Sequence, residues 1–149
     1  MDKRLIKTID PEQKIMNNQT TSEYMLLFRG TGWDKGLAPE ETQKIVSQWA
    51  AWFDRLTKEG KAKAGQPLTD EGKIVSGKRG QTVADGPFAE SKEAIGGYFL
   101  LNVANFDEAV KIAQQCPGLA YGLTVEVRQV ADMCMVRHRA DEQLAAASA

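Results

Sequence analysis

The sequence holds a single histidine, His138, and only two cysteines, Cys116 and Cys134. There is no HExxH pattern and no His/Cys cluster, so a conventional zinc site is excluded and neither a metal nor another cofactor is expected. The cysteines lie too far apart for a CxxC redox pair, and two lone thiols of this kind read as reduced and structural. His138 sits in an Arg-His-Arg triplet near the end of the chain. A Ser-His-Asp or Cys-His mechanism would have to recruit its base from that tail, whereas such a base must be held within hydrogen-bond reach of its proton. Neither GxGxxG nor GxxxxGK[ST] occurs, so nothing announces a dinucleotide or an NTP phosphate. An excess of one charge is also missing. Lys plus Arg number 19 against 20 Asp plus Glu, a net charge of −1, which argues against a nucleic-acid partner because phosphate contacts need clustered cations. No apolar run approaches the roughly 20 residues of a bilayer span. The opening MDKRLIKTIDPEQK begins basic but enters no apolar stretch. No membrane association is expected, and a cytoplasmic location is.

What is present describes one domain between two tails. Residues 1–22 are poor in apolar groups and end in a polar run, so they read as an extension. Residues 131–149 finish in Ala145-Ala146-Ala147-Ser148-Ala149, a tail able to form a frayed helix but with little to bury. The compact domain is expected over 23–130. Tyr24 to Arg29 is a short apolar run closed by Gly30-Thr31-Gly32, which predicts a buried strand. Pro39-Glu40-Glu41 opens a helix with a first-turn proline and two carboxylates at the positive end of the helix dipole, although Ala38 is a poor cap. Ile45, Trp49, Trp52, Phe53 and Leu56 fall on one face of that helix, and Gly60 ends it.

Short strands are expected at 66–68, 73–76 and 82–84, with turns at Asp70-Glu71-Gly72 and Gly77-Lys78-Arg79-Gly80. Gly97 to Val103 is apolar on both alternating faces, the mark of a central strand. Asn105 and Glu108 form a capping box for a second helix that stops at Cys116-Pro117-Gly118. Leu123 to Val130 alternates, with Leu123, Val125 and Val127 on one face and Thr124, Glu126 and Arg128 on the other. This order predicts an α+β fold: a ferredoxin-like sandwich, an antiparallel sheet with two helices on one face. The second sheet face would then expose Tyr98, Leu100 and their neighbours. Burying them against a second copy predicts a homodimer through the sheet, with Glu126 and Arg128 near the enclosed space.

The segment Asp85-Gly86-Pro87-Phe88-Ala89-Glu90 joins a short strand to the central one. Asp-Gly-Pro is a turn, and a loop at a sheet end beside a dimer cleft is also a place for a small-molecule pocket. DGPFAESKEAIGGYFLL, with YMLLFRG upstream, the WxxW helix, CPG after the second helix and VEVRQV at the end, resembles the DGPF family. That family belongs to the YCII-related group of dimeric α+β barrel proteins, and the resemblance covers roughly residues 23–130. It implies a ferredoxin-like protomer, a sheet-to-sheet dimer, a cleft between sheet and loops, and a regulatory setting beside an extracytoplasmic-function sigma factor. Members of the wider group carry a His-Asp pair thought to act as acid and base. Sliding the first helix against its Gly terminus places those positions at about Trp49 and Lys58, which cannot do that chemistry, so the pair is not carried over.

Asp85 remains the candidate catalytic residue, as general base or ligand anchor, with Arg29 or Arg128 as an anion clamp. Trp33, Phe88, Glu90, Tyr98 and Glu126 are the further ligand-binding candidates. Three functions stay open: a binding or regulatory module for an unidentified small molecule, a metal-independent lyase, isomerase or hydrolase using Asp85, and a purely structural dimer.

Overall fold

The computed structural model describes residues 20–87, 91 and 93–148. Phe88 and Glu90, both candidates above, lie outside the described residues. The elements follow the order β1 (Ser22–Arg29), α1 (Pro39–Lys58), β2 (Ala62–Pro67), β3 (Lys73–Ser76), β4 (Thr82–Asp85), β5 (Ile95–Val103), α2 (Phe106–Ala113), β6 (Thr124–Gln129) and α3 (Met135–Ala147). Four strands form one sheet in the order β2-β5-β1-β6, and β3 pairs with β4 in a separate hairpin. Every pairing in the larger sheet is antiparallel. With the hairpin set aside this is the split β-α-β arrangement of a ferredoxin-like α+β fold, in which β5 enters between β1 and β2.

The strand pleat sorts the side chains. On one sheet face Tyr24, Leu26 and Phe28 of β1 and Phe99, Leu101 and Val103 of β5 are buried. Trp52 and Leu56 of α1, and Ala109, Ile112 and Ala113 of α2, pack on them in a single core cluster. Val125 and Val127 of β6 close its far side. The opposite face carries Met25, Leu27 and Arg29 from β1, opposite Leu100, Tyr98 and Thr124 or Arg128 of the neighbouring strands. No helix among the described residues packs there, and its apolar side chains stay half-buried.

The helix ends are built as their residues dictate. Ala38 offers no side-chain cap, so α1 starts on Pro39 with Glu40 and Glu41 in its first turn and ends with Arg55 and Lys58 in its last. Gly60, at φ +74°, turns the chain out of the helix where a side chain would be strained. Asn105 Oδ1 accepts the Glu108 amide at 2.9 Å, and the Glu108 carboxylate accepts the Ala104 amide at 3.0 Å, one residue further back than a standard capping box. The tail beyond β6 is helical as α3, with no buried residue. No helix among the described residues is long and apolar enough to cross a membrane.

One element departs from the sequence reading. The strand expected at 66–68 begins at Ala62 and takes in Lys63, Ala64 and Gly65. Its composition is poor in β-branched residues. It is a strand because its edge position lets it pair with β5, from Ala62 opposite Leu101 to Pro67 opposite Gly97.

Candidate functional site

A cavity of about 450 Å³ opens between α1, the loop after β1, and the end of the sheet where β2 meets β5. The sequence makes room for it in two ways. First, one turn-and-a-half of α1 aims Trp49 and Phe53 at the sheet, and the cavity lies on the outer flank of the aromatic cluster they build with Phe28 and Phe99. The rings meet edge-on or tilted: Phe28 to Trp49 at 5.0 Å, Phe28 to Phe99 at 4.8 Å, Phe53 to Phe99 at 4.7 Å between centroids. Such geometry suits ring quadrupoles. Second, the strand positions facing this corner are glycines. A Cβ at Gly65 would stand 2.7 Å from Phe99 Cδ1 and 2.8 Å from Phe53 Cε2. A Cβ at Gly97 would stand 3.0 Å from the Gln66 carbonyl oxygen. The rings therefore lie directly on bare backbone, and no strand side chain fills the corner.

The loop after β1 supplies the outer wall. β1 is bulged at Phe28 and Arg29, which redirects the chain into Gly30, Thr31, Gly32 and Trp33. The Trp33 ring stacks on Trp49 with centroids 6.0 Å apart and planes 23° from parallel, and its other neighbour is Tyr121 at 6.2 Å. The loop is tied down by the Gly30 N–H, which donates to the Ala94 carbonyl at 2.9 Å, while Leu68 N–H closes the corner of the sheet on the Gly96 carbonyl at 2.8 Å. Tyr121 donates to Glu41 at 3.2 Å; desolvation, and then that carboxylate, hold its phenol proton above the ordinary range. Asp34 and Asp70 complete the lining.

Asp70 is also the bridge to a second, more polar groove of about 400 Å³, lined by Glu71, Gly72, Lys73, Asp85, Gly86 and Pro87. The aromatic cavity thus lies next to the Asp-Gly-Pro bend. Asp85 itself faces the second groove. It ends β4 opposite Lys73, ion-pairs with the Lys73 ammonium, and its side chain is 72% exposed. No contact among the described residues joins it to Arg29, Arg128 or Trp33.

The remaining candidates gather elsewhere. Arg29 Nη1 donates to Glu126 Oε1 at 2.9 Å, and Arg128 Nη1 donates to Glu126 Oε2 at 3.3 Å. These three form a charged edge on the open sheet face, so both proposed anion clamps already have a carboxylate partner. Tyr98 lies on that same face opposite Leu27 and Gln66. Of the residues singled out from sequence, the structure brings Arg29, Glu126 and Arg128 together, sets Trp33 in the cavity, and leaves Asp85 on the hairpin.

Sequence reasoning missed the cavity's other parts. Trp49 reads as packing because it falls on the helical stripe, and it does pack, but one ring side faces the cavity. Gly65 and Asp70 reach the cavity through the pairing of β2 with β5, and Asp34 follows Trp33 in the loop after β1. Among the described residues, no group of three or more His, Cys, Asp or Glu side chains is placed to hold a metal ion.

The sequence model of the YCII-related domain matches residues 22–134. No curated protein sequence matches the chain. Among solved structures, the chain is similar to 5-chloro-2-hydroxyhydroquinone dehydrochlorinase from Burkholderia phenoliruptrix AC1100, in complex with 2,5-dihydroxybenzoquinone. The two share 17% identity over 72% of this chain and 93% of that one, with a TM-score of 0.37.

Proposed function

The chain belongs to the YCII-related family, and from that premise we propose that it binds a small, largely apolar molecule in the cavity beside α1 and works as a homodimer. The observation that carries the reading is the cavity: its volume falls in the range of small-molecule sites, its walls are aromatic, and a few polar groups sit at its edge. A stacked Trp33–Trp49 pair gives a flat ligand an extended surface to lie against.

The second copy is supported by the open sheet face. Met25 and Leu27 lie opposite Leu100 and Tyr98 there, an apolar centre beside the Arg29–Glu126–Arg128 edge. A matching face would bury these side chains, as the cores of interfaces do.

Acid–base catalysis by Asp85 has less behind it. The carboxylate is exposed and held by Lys73, away from the aromatic walls. The sigma-factor setting follows from the sequence resemblance alone and forms no part of this reading.

A thermal-shift screen of flat metabolites, followed by tryptophan fluorescence, tests the proposal. A true ligand at 100-fold its dissociation constant is expected to add about 2.7 kcal/mol of stability and to change tryptophan emission. Both effects should shrink in Trp33→Ala. A ligand that stabilises Trp33→Ala as much as the parent chain binds elsewhere, and the cavity reading fails.

A further inference from the structure

The charged groups that line the cavity among the described residues are of one sign, and this bears on the charge of what it holds. The titratable residues that line it are Asp34 and Asp70, and among the described residues no lysine, arginine or histidine lines it. Lys35 lies close to the loop, with its Nζ 3.7 Å from where a Cβ on Gly32 would stand. Even with Lys35 counted, two carboxylates stand against one ammonium.

Backbone donors point the same way. An anion needs free N–H groups, because a charge leaving water must be met by hydrogen bonds. Two lining amides, those of Gly30 and Leu68, are spent on the Ala94 and Gly96 carbonyls. The rim also carries the two carboxylates and the Gln66 side chain. Behind it, the aromatic side chains of Trp33, Trp49, Phe28, Phe53 and Phe99 line the wall. A π face attracts a cation through its quadrupole, most strongly in tryptophan, and repels an anion.

We propose that this cavity selects an organic cation, an ammonium group carried on an apolar or aromatic body, with the body against the tryptophans and the charge held between ring faces and the Asp34 and Asp70 carboxylates. This rests on the ligand-cavity reading and adds the charge of the ligand to it. Acidic residues on a surface would say little; here they rim an aromatic chamber.

The test compares three probes of one shape: 2-phenylethylammonium, 2-phenylethanol and phenylacetate, titrated against the full chain by tryptophan fluorescence and thermal shift at low salt. The ammonium is expected to bind at least about fivefold tighter than the alcohol, with phenylacetate weakest. In an Asp34→Asn, Asp70→Asn double variant, which keeps the shape of both exposed side chains, the preference should fall to within about twofold while the alcohol's affinity holds. Equal binding of alcohol and ammonium, or a preference that survives the double variant, overturns the cation inference and leaves the cavity standing. If none of the three probes changes emission or melting temperature, the ligand cavity falls together with its charge.

Discussion

The indole of Trp33, on the loop after β1, lies against the indole of Trp49 on α1, with centroids 6.0 Å apart and planes 23° from parallel. This contact couples the outer wall of the cavity to the helix. Trp49 also meets Phe28 and Trp52 edge-on. Trp49→Ala is therefore expected to destabilise the fold by about 2–4 kcal/mol, near the lower end for a half-buried aromatic, and to free the Trp33 loop. Urea unfolding should show a lower midpoint with an unchanged slope, and Trp33 emission should shift to the red.

Gly65 is the tightest point of the cavity floor. Its Cβ position is filled from two sides, by Phe99 and Phe53. Gly65→Ala is expected to push these rings apart at a cost of about 1–3 kcal/mol, measurable by thermal unfolding. Gly36→Ala is a useful contrast: Gly36 has a positive φ, +88°, and nothing lies within 4 Å of its Cβ position. That variant should lose stability through backbone strain alone and leave ligand affinity unchanged.

The two thiols should behave in opposite ways. Burial pushes Cys116 up from 9.0 to about 11, against weaker pulls from the Gly118 and Leu119 amides. Cys134 is exposed, and the amides of Arg137 and Val136 pull its thiol below the ordinary value. A thiol reagent is expected to titrate one cysteine in the native protein and both in urea. Because the folded value at Cys116 is raised, its contribution is complete below pH 9.0 and disappears as pH climbs through about 11. Stability should drop over that window by an amount on the order of 2 kcal/mol more in the parent than in Cys116→Ala.

The open sheet face gives a test of assembly separate from the ligand. Leu100 lies opposite Met25 and Ala64 on that face. Leu100→Glu is expected to abolish self-association in sedimentation runs while far-UV circular dichroism stays as in the parent, since the residue lies outside the core cluster. A parent chain that already sediments as a single subunit at micromolar concentration removes the dimer from the proposed function.

Much of the fold is readable where local chemistry decides it. The Asn105–Glu108 pair starts α2, Pro39 with its carboxylates starts α1, and the alternation from Leu123 places Val125 and Val127 toward the core and Glu126 and Arg128 away from it. The start of β2 is not readable, because Ala62 to Gly65 becomes a strand only through its partner. The site divides along the same line. Trp33 stands out in a glycine loop, but Trp49, Gly65 and Asp70 acquire their role only when chain segments far apart in sequence meet. Asp85 is the opposite case: its Asp-Gly-Pro turn is plain in the sequence, yet register pairs it with Lys73 on the hairpin.

The place of β5 in the sheet also bears on how the chain folds. It pairs with both β1 and β2, although each precedes it by a long stretch of sequence. Until residues 95–103 arrive, β1 and β2 have a gap one strand wide between them, and α1 has half a sheet to pack on. Closing those loops is an entropic cost met before any of the central hydrogen bonds form. The cavity corner, where Gly97 meets Gln66 and Phe99 meets Gly65, therefore comes into being only when β5 inserts. A chain cut short before residue 95 would carry all three tryptophans and lack the floor of the cavity.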